Sequence, residues 1–246
     1  MTGTKTTRAV RVGCAGWAIR KEYADRFAGA GTHLSRYAAR FPGVEINSSF
    51  YRPHRPATYA KWAAAVPDGF RFAVKVPKEA THARRLADAG DVLDRFLPEV
   101  TALGEKLGPL LVQLPPSLAF DPDVAESFFA ALRDRFDGAV VLEPRHATWF
   151  GDAAGRLTAG YRVARAATDP AVVPAAAEPG GWNGLVYYRL HGSPEVYRSA
   201  YSAGYLDALS RKLAAAAAPA WCVFDNTAAG AATADALALL DRLAAG

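Results

Sequence analysis

The chain has 246 residues, 51% apolar and 22% charged, with a formal charge of +5. That composition fits a globular protein rather than a disordered one, and no apolar run approaches the ~18 residues of a membrane span. Cys14 and Cys222 are the only cysteines, which excludes a disulfide framework or a CxxC metal site.

Met1 to Arg8 is polar and has no apolar leader core, so the expectation is a flexible N-terminus on a cytoplasmic protein. Short apolar runs then alternate with helical stripes. Strands are predicted at Val10–Cys14, Val44–Asn47, Phe70–Lys75, Leu110–Gln113, Ala139–Glu143, Arg162–Ala166, Leu185–Arg189 and Trp221–Phe224. His33, Leu34, Tyr37, Ala38 and Phe41 recur at helical spacing after the first strand, and Leu93, Phe96, Leu97, Val100 and Leu103 after the third, with Pro98 as a kink. Asp121-Pro122-Asp123 supplies a cap, a first-turn proline and a first-turn acid ahead of Phe128, Phe129 and Leu132. Residues 174–181 are rich in Ala, Gly and Pro and predict a loop in place of a helix after strand six. Tyr205, Leu206, Leu209 and Leu213 form the next stripe, and the alanine run 214–218 ends it at Pro219. Leu237, Leu240 and Leu243 form the last.

Eight strands alternating with helices predict an α/β fold, a (β/α)₈ TIM-type barrel in one domain over residues 1–246, irregular around strand six. The rival doubly wound sheet usually carries GxGxxG after its first strand. Here that turn reads Gly13-Cys14-Ala15-Gly16-Trp17. No GxxxxGK[ST] motif occurs either, and no nucleotide cofactor is predicted.

A barrel of this type places its chemistry at the C-terminal strand ends. Those ends carry Glu45 and Asn47, Lys75, Gln113, Glu143 with Arg145 and His146, Arg189 with His191, and Asp225 with Asn226. Residues two apart on a strand share a face, so Glu143 goes with Arg145 and Arg189 with His191. Unpaired buried charges are costly, so Arg189, which follows four apolar or aromatic residues, needs a carboxylate or a ligand anion. Glu143 and His191 are the candidate acid/base pair. Asn47, Lys75, Gln113, Arg145, His146, Arg189 and Asn226 are candidate substrate contacts. Each has a plainer alternative: Glu143 as a counterion for Arg145 or Arg189, His191 as a core imidazole bonded to backbone, Lys75 reaching out to solvent, Asp225 as a turn cap. Cys14 reads as a small buried apolar residue rather than a nucleophile.

Several segments resemble the YecE-like family, a TIM-barrel-type domain of unknown function. They are Gly13–Trp17, Val44–Tyr51, Phe72–Lys75 with Thr81-His82, Gln113–Ser117, Glu143–His146 with Trp149, Tyr188–Gly192, and Asp225–Thr227 with Gly230. They occur in the family's order between residues 10 and 240. Cys14, Pro144 and Asp225 depart from it, standing where Thr or Ser, an aromatic or aliphatic residue, and Asn are usual. The resemblance implies the barrel and no established activity.

The residues themselves favour an enzyme, a hydrolase or isomerase, acting on a small anionic or polyhydroxyl ligand such as a phosphate ester or sugar. Lys75, Arg145, Arg189 and two imidazoles outnumber Glu45 and Glu143, and arginine suits phosphate and carboxylate. One alternative is a divalent-metal enzyme drawing on Glu45, His82, Glu143, His146, Asp169 and His191, although no HxH or HExxH spacing appears. Another is nucleic-acid binding, motivated by the arginine content, although the basic residues are scattered and not interleaved with aromatics. A non-catalytic ligand-binding barrel is the last. No metal site is assigned, and the oligomeric state is not legible.

Overall fold

All eight predicted runs form strands in the computed structural model, which describes residues 10–245. The expected flexible N-terminus lies outside the described residues. The strands are β1 (Val10–Cys14), β2 (Gly43–Ile46), β3 (Arg71–Lys75), β4 (Leu107–Gln113), β5 (Val140–Glu143), β6 (Val163–Arg165), β7 (Ala167–Asp169), β8 (Gly180–Gly181), β9 (Val186–Leu190) and β10 (Ala220–Phe224). The helices are α1 (His33–Ala38), α2 (Ser48–Tyr51), α3 (Pro56–Ala64), α4 (Gly90–Val100), α5 (Pro122–Arg133), α6 (Asp152–Gly160), α7 (Ala203–Ala214) and α8 (Ala231–Ala245). None among the described residues is long and apolar enough to cross a membrane.

Parallel pairing runs β2-β3-β4-β5-β6 and β1-β10-β9-β7. Two seams join these sheets into a ring. At the first, Ala15 bridges Glu45 and the Gly16 N–H donates to the Glu45 carbonyl at 2.9 Å. The Tyr37 hydroxyl braces this seam, accepting from the Cys14 N–H at 2.8 Å and donating to the Gly43 carbonyl at 3.2 Å. Only glycine fits at position 13, since a Cβ there would lie 2.1 Å from the Gly43 carbonyl oxygen.

At the second seam one stave changes partners midway. β6 pairs with β5, and after Ala166 the same chain continues as β7 and pairs with β9. Sequence reading ended this strand at Ala166, short of Asp169. Ala166 and Ala167 are too small to register as an apolar run, yet they let the stave turn and carry Asp169 to its tip. The segment after it holds no full helix. It forms a 3₁₀ turn (Pro174–Ala177) and β8, which lies antiparallel on β6.

The outer helices follow their sequence signals. The Asp121 carboxylate caps α5 by accepting from the Asp123 and Val124 N–H groups. Pro98 lies inside α4, which stops at Val100 and tightens into a 3₁₀ turn. Strand alternation sorts the apolar residues into two cores. One fills the space between staves and helices. The other fills the barrel lumen with Ala73, Leu111, Val141, Ala164, Tyr187, Trp221 and Val223, among others. On the same inward faces, one step nearer the C-terminal rim, the lumen turns from apolar to charged.

Candidate active site

Arg189 is the hub of that charged layer. It projects inward from β9 with 1% of its side chain exposed. Its Nη2 lies 2.8 Å from Glu45 Oε1 and 3.0 Å from Asp225 Oδ2, and its Nη1 lies 3.1 Å from Glu143 Oε2. Its Nε also donates to Glu45. One guanidinium thus holds carboxylates from β2, from β5 and from the residue after β10. The Tyr187 hydroxyl, one layer deeper, donates to Glu45 Oε2 at 3.0 Å.

His191, two residues on and on the same face, sits above Arg189 between two carboxylates. Its Nδ1 is 3.0 Å from Asp225 Oδ2 and its Nε2 is 3.2 Å from Glu143 Oε1. Burial alone would lower the imidazole pKa, but the Glu143 charge and the Asp225 hydrogen bond outweigh it and raise the pKa above 6.5. Burial pushes Glu143 the other way from its neighbours. Arg189, His191 and Arg145 prevail and hold it well below its ordinary range. Asp225 is lowered as well: burial opposes, and Arg189 with His191 prevails. The carboxylates are therefore ionised near neutral pH, and the imidazole is the group whose proton is shared.

Arg145 is the outermost member. Its Nε donates to Glu143 Oε1 at 2.9 Å, while its terminal nitrogens make only long contacts, 3.3 Å to the Tyr197 hydroxyl and 3.4 Å to His191 Nε2. Glu143, Arg145, His191, Thr168 and Pro170 line an open cavity of about 210 Å³. Tyr197 comes from the loop after β9, where its φ of 68° is unusual for a non-glycine residue.

The family profile "Protein of unknown function DUF72" matches residues 11–246. The chain belongs to the DUF72 family. The UPF0759 protein YecE of Escherichia coli K12 is 30% identical over 122 residues, 48% of this chain and 43% of that protein. The UPF0759 protein YunF of Bacillus subtilis 168 is 26% identical over 151 residues, 57% of this chain and 52% of that protein. The chain thus matches about half the length of these curated relatives. Solved DUF72 family proteins from Enterococcus faecalis V583 and Thermotoga maritima MSB8 superpose with TM-scores of 0.78 and 0.77, each at 21% identity. These alignments cover 96% of this chain and 96% and 99% of theirs. At that identity the likeness shows the fold.

In this DUF72 chain the structure gathers Glu143, His191, Arg189 and Arg145 within direct contact. Lys75 belongs to the same layer. It is 7% exposed and its Nζ sits 4.0 Å from the centre of the Phe50 ring. Gln113 is buried and its Nε2 donates to the Leu114 carbonyl at 2.7 Å. Asn47 precedes α2 with its Oδ1 buried and unpartnered. Two candidates turn away from the cluster. His146 caps a 3₁₀ turn, with its Nδ1 accepting from the Thr148 N–H at 3.3 Å. Asn226 donates to the Ser199 carbonyl and to Asp235 Oδ2, clamping the loop after β9 to α8.

Of the six donors named for a metal, Glu45, Glu143 and His191 share the Arg189 cluster, where cations already hold both carboxylates. Among the described residues no three His, Cys, Asp or Glu side chains converge as a ligand set. His82 bonds Thr81 and packs edge-on to Phe50. Cys14 is buried, which pushes its thiol up to about 12. Sequence reading placed Asp225 at the rim with a turn cap as its alternative and left it out of the site, and it missed Tyr187 and Tyr197. Asp225 follows an apolar strand as Glu143 ends one, and that parallel was the available signal. Tyr187 looks like any core aromatic in sequence. Nothing local points to Tyr197.

Proposed function

We propose that the protein is an enzyme, a hydrolase or isomerase, whose barrel mouth binds a small anionic or polyhydroxyl molecule and moves a proton through His191. The observation that carries this reading is His191 held between Glu143 and Asp225 at the wall of an open cavity, with the Arg145 guanidinium beside it. A buried imidazole with raised pKa and an orienting carboxylate on Nδ1 is built to give and take a proton near neutral pH. Glu143 is the weaker acid/base candidate, because its oxygens are already taken by Arg189, Arg145 and His191. Its part is to hold both cations in place.

Arg145 supplies the anion contact. Its 3.3 and 3.4 Å contacts are weak, so two oxygens of a phosphate or carboxylate can replace them in the bidentate arrangement that favours arginine. Burial lowers the His82 pKa, and Lys75, Lys78 and Arg145 add to it, so three cations stand near that ring.

Calorimetric titration with inorganic phosphate and with phosphate esters tests the reading. Wild-type protein is expected to bind, and Arg145→Gln to weaken binding by about tenfold, ~1.4 kcal/mol. Equal phosphate affinity in the two proteins would sink it. With a turned-over ester in hand, His191→Asn is expected to abolish turnover while preserving the fold.

A further inference from the structure

We propose that Lys75 is a nucleophilic amine that forms an imine with an anionic carbonyl compound, an aldehyde acid or 2-oxo acid whose charge rests on Arg145. This rests on the mouth being an anion site and adds a covalent step to it.

Placement comes first. Lys75 ends β3 and pairs with Leu111, and its side chain points to the lumen with Ala73 and away from the outward Phe72 and Val74. It stands on the rim that carries Glu45, Glu143 and Asp225, and all three of these, with Arg189, act on its proton equilibrium. The absence of a partner is the second point. Among the described residues no carboxylate lies within 4.0 Å of Lys75 Nζ, although three are nearby. Glu45 and Asp225 are held by Arg189, Asp225 also by His191, and Glu143 by Arg189, Arg145 and His191. Arg189, Arg145 and protonated His191 already balance the three carboxylates. A charge on Lys75 is surplus, and the layer does not need it.

The surroundings complete the case. The residue is 7% exposed, and its Nζ lies 4.0 Å from the centre of the Phe50 ring, which His82 meets edge-on at 5.0 Å. Desolvation and a neighbouring cation are two ways to activate a lysine amine, and both act on Lys75. Burial, then Arg189, bring its pKa down to about 8. Roughly a tenth of the side chains are then neutral at pH 7, against well under a thousandth for an ordinary lysine.

The step balances without oxidant or reductant. The neutral Nζ lone pair attacks the carbonyl carbon, and the C=O pair moves to oxygen, which takes up a proton. The carbinolamine loses that hydroxyl as water after a second protonation, for which the His191 imidazolium is the acid in the mouth. One Nζ proton passes to that oxygen and the other stays on nitrogen, so one protonated C=N bond and one water result. The protonated imine acidifies an adjacent C–H, which suits an isomerase.

Reductive trapping tests this on the intact protein. Wild type is incubated with glyoxylate and cyanoborohydride, digested, and the lysines are followed by mass spectrometry. Lys75 is expected to gain one carboxymethyl group at least about tenfold faster than the exposed Lys61 and Lys212. Propanal, which lacks the charge, is expected to label it more slowly, and Arg145→Gln to erase that preference for glyoxylate. Labelling of Lys75 no faster than Lys61 overturns the proposal. Phosphate binding without preferential labelling removes the imine and leaves the anion site standing, whereas absence of both removes the two together.

Discussion

Replacing Arg189 with methionine tests whether the charged layer is one coupled unit. Methionine fills much of the same space and leaves Glu45, Glu143 and Asp225 facing one another without their shared cation. Glu45 and Glu143 have no exposed side-chain surface, so solvent cannot take over. Removing one member of a buried pair costs about 3–5 kcal/mol. Arg189 serves three carboxylates, but they relax together, so the loss does not triple. A domain of this size loses about 2–4 °C of Tm per kcal/mol, which predicts a fall of roughly 6–20 °C at pH 7. The sign with pH is fixed by Glu143 and Asp225. Both are lowered in the folded protein, so their contribution is full above their ordinary values of 4.5 and 3.8 and disappears as pH falls through the folded ones. The gap between wild type and Arg189→Met is therefore expected to narrow in acid. Adding Glu45→Gln to the variant should recover part of the loss. Thermal unfolding monitored by circular dichroism reads the fall in Tm, and urea unfolding reads the free energies against pH. A variant within about 1 kcal/mol of wild type at pH 7, the range of surface ion pairs, would refute the coupled layer.

Three further outcomes follow from the same contacts. Lys75→Met should stabilise the protein at neutral pH by on the order of 3 kcal/mol: the protonated amine is disfavoured in the fold, so the penalty is full below about 8 and fades as pH rises to 10.5, and urea midpoints against pH check it. His191 contributes stability that is full below 6.5 and lost as pH rises through its raised folded pKa; wild type should weaken as pH rises above 6.5, and His191→Asn should lack that fall. Tyr187→Phe keeps the stack on Trp221 and removes the 3.0 Å bond to Glu45; Arg189 still serves that carboxylate, so the loss should be near ~1 kcal/mol, measurable by the same unfolding curves.

The barrel was legible because its staves are short apolar runs of regular spacing, and because Pro144 forces β5 to end where Glu143 stands. The stave that switches partners at Ala166 was only half legible, since alanines carry little hydrophobic signal in either register. Glu143, Arg189 and His191 stood out because charge directly after an apolar strand is rare. The partners they choose did not. Whether Arg189 meets a ligand or a carboxylate depends on β2, β5 and β10 closing around it, and no spacing along the chain encodes that. His146 and Asn226 show the converse. Both stand at strand ends, and both are engaged elsewhere: His146 bonds the turn two residues on, where a polar side chain finds backbone first, and the Asn226 amide donates to Ser199 and Asp235 while its Oδ1 stays unpartnered.

The position of the charged layer argues for its use. One layer deeper, the same lumen is filled by Ala73, Leu111, Val141, Val223 and the Tyr187 ring, so the fold closes a barrel at this diameter without charged residues. Exchanging a buried ionic cluster for apolar side chains is often neutral or gains about 1–4 kcal/mol. Glu45, Glu143, Arg189 and Asp225 therefore persist at a stability disadvantage that the neighbouring layer shows to be avoidable. What they accomplish is to fix two groups nearer the solvent: His191, held from both ring nitrogens, and Arg145, held from Nε with its terminal nitrogens turned to the cavity. The proposed anion site beside a proton donor requires both: an oriented imidazole and a guanidinium whose contacts can be exchanged.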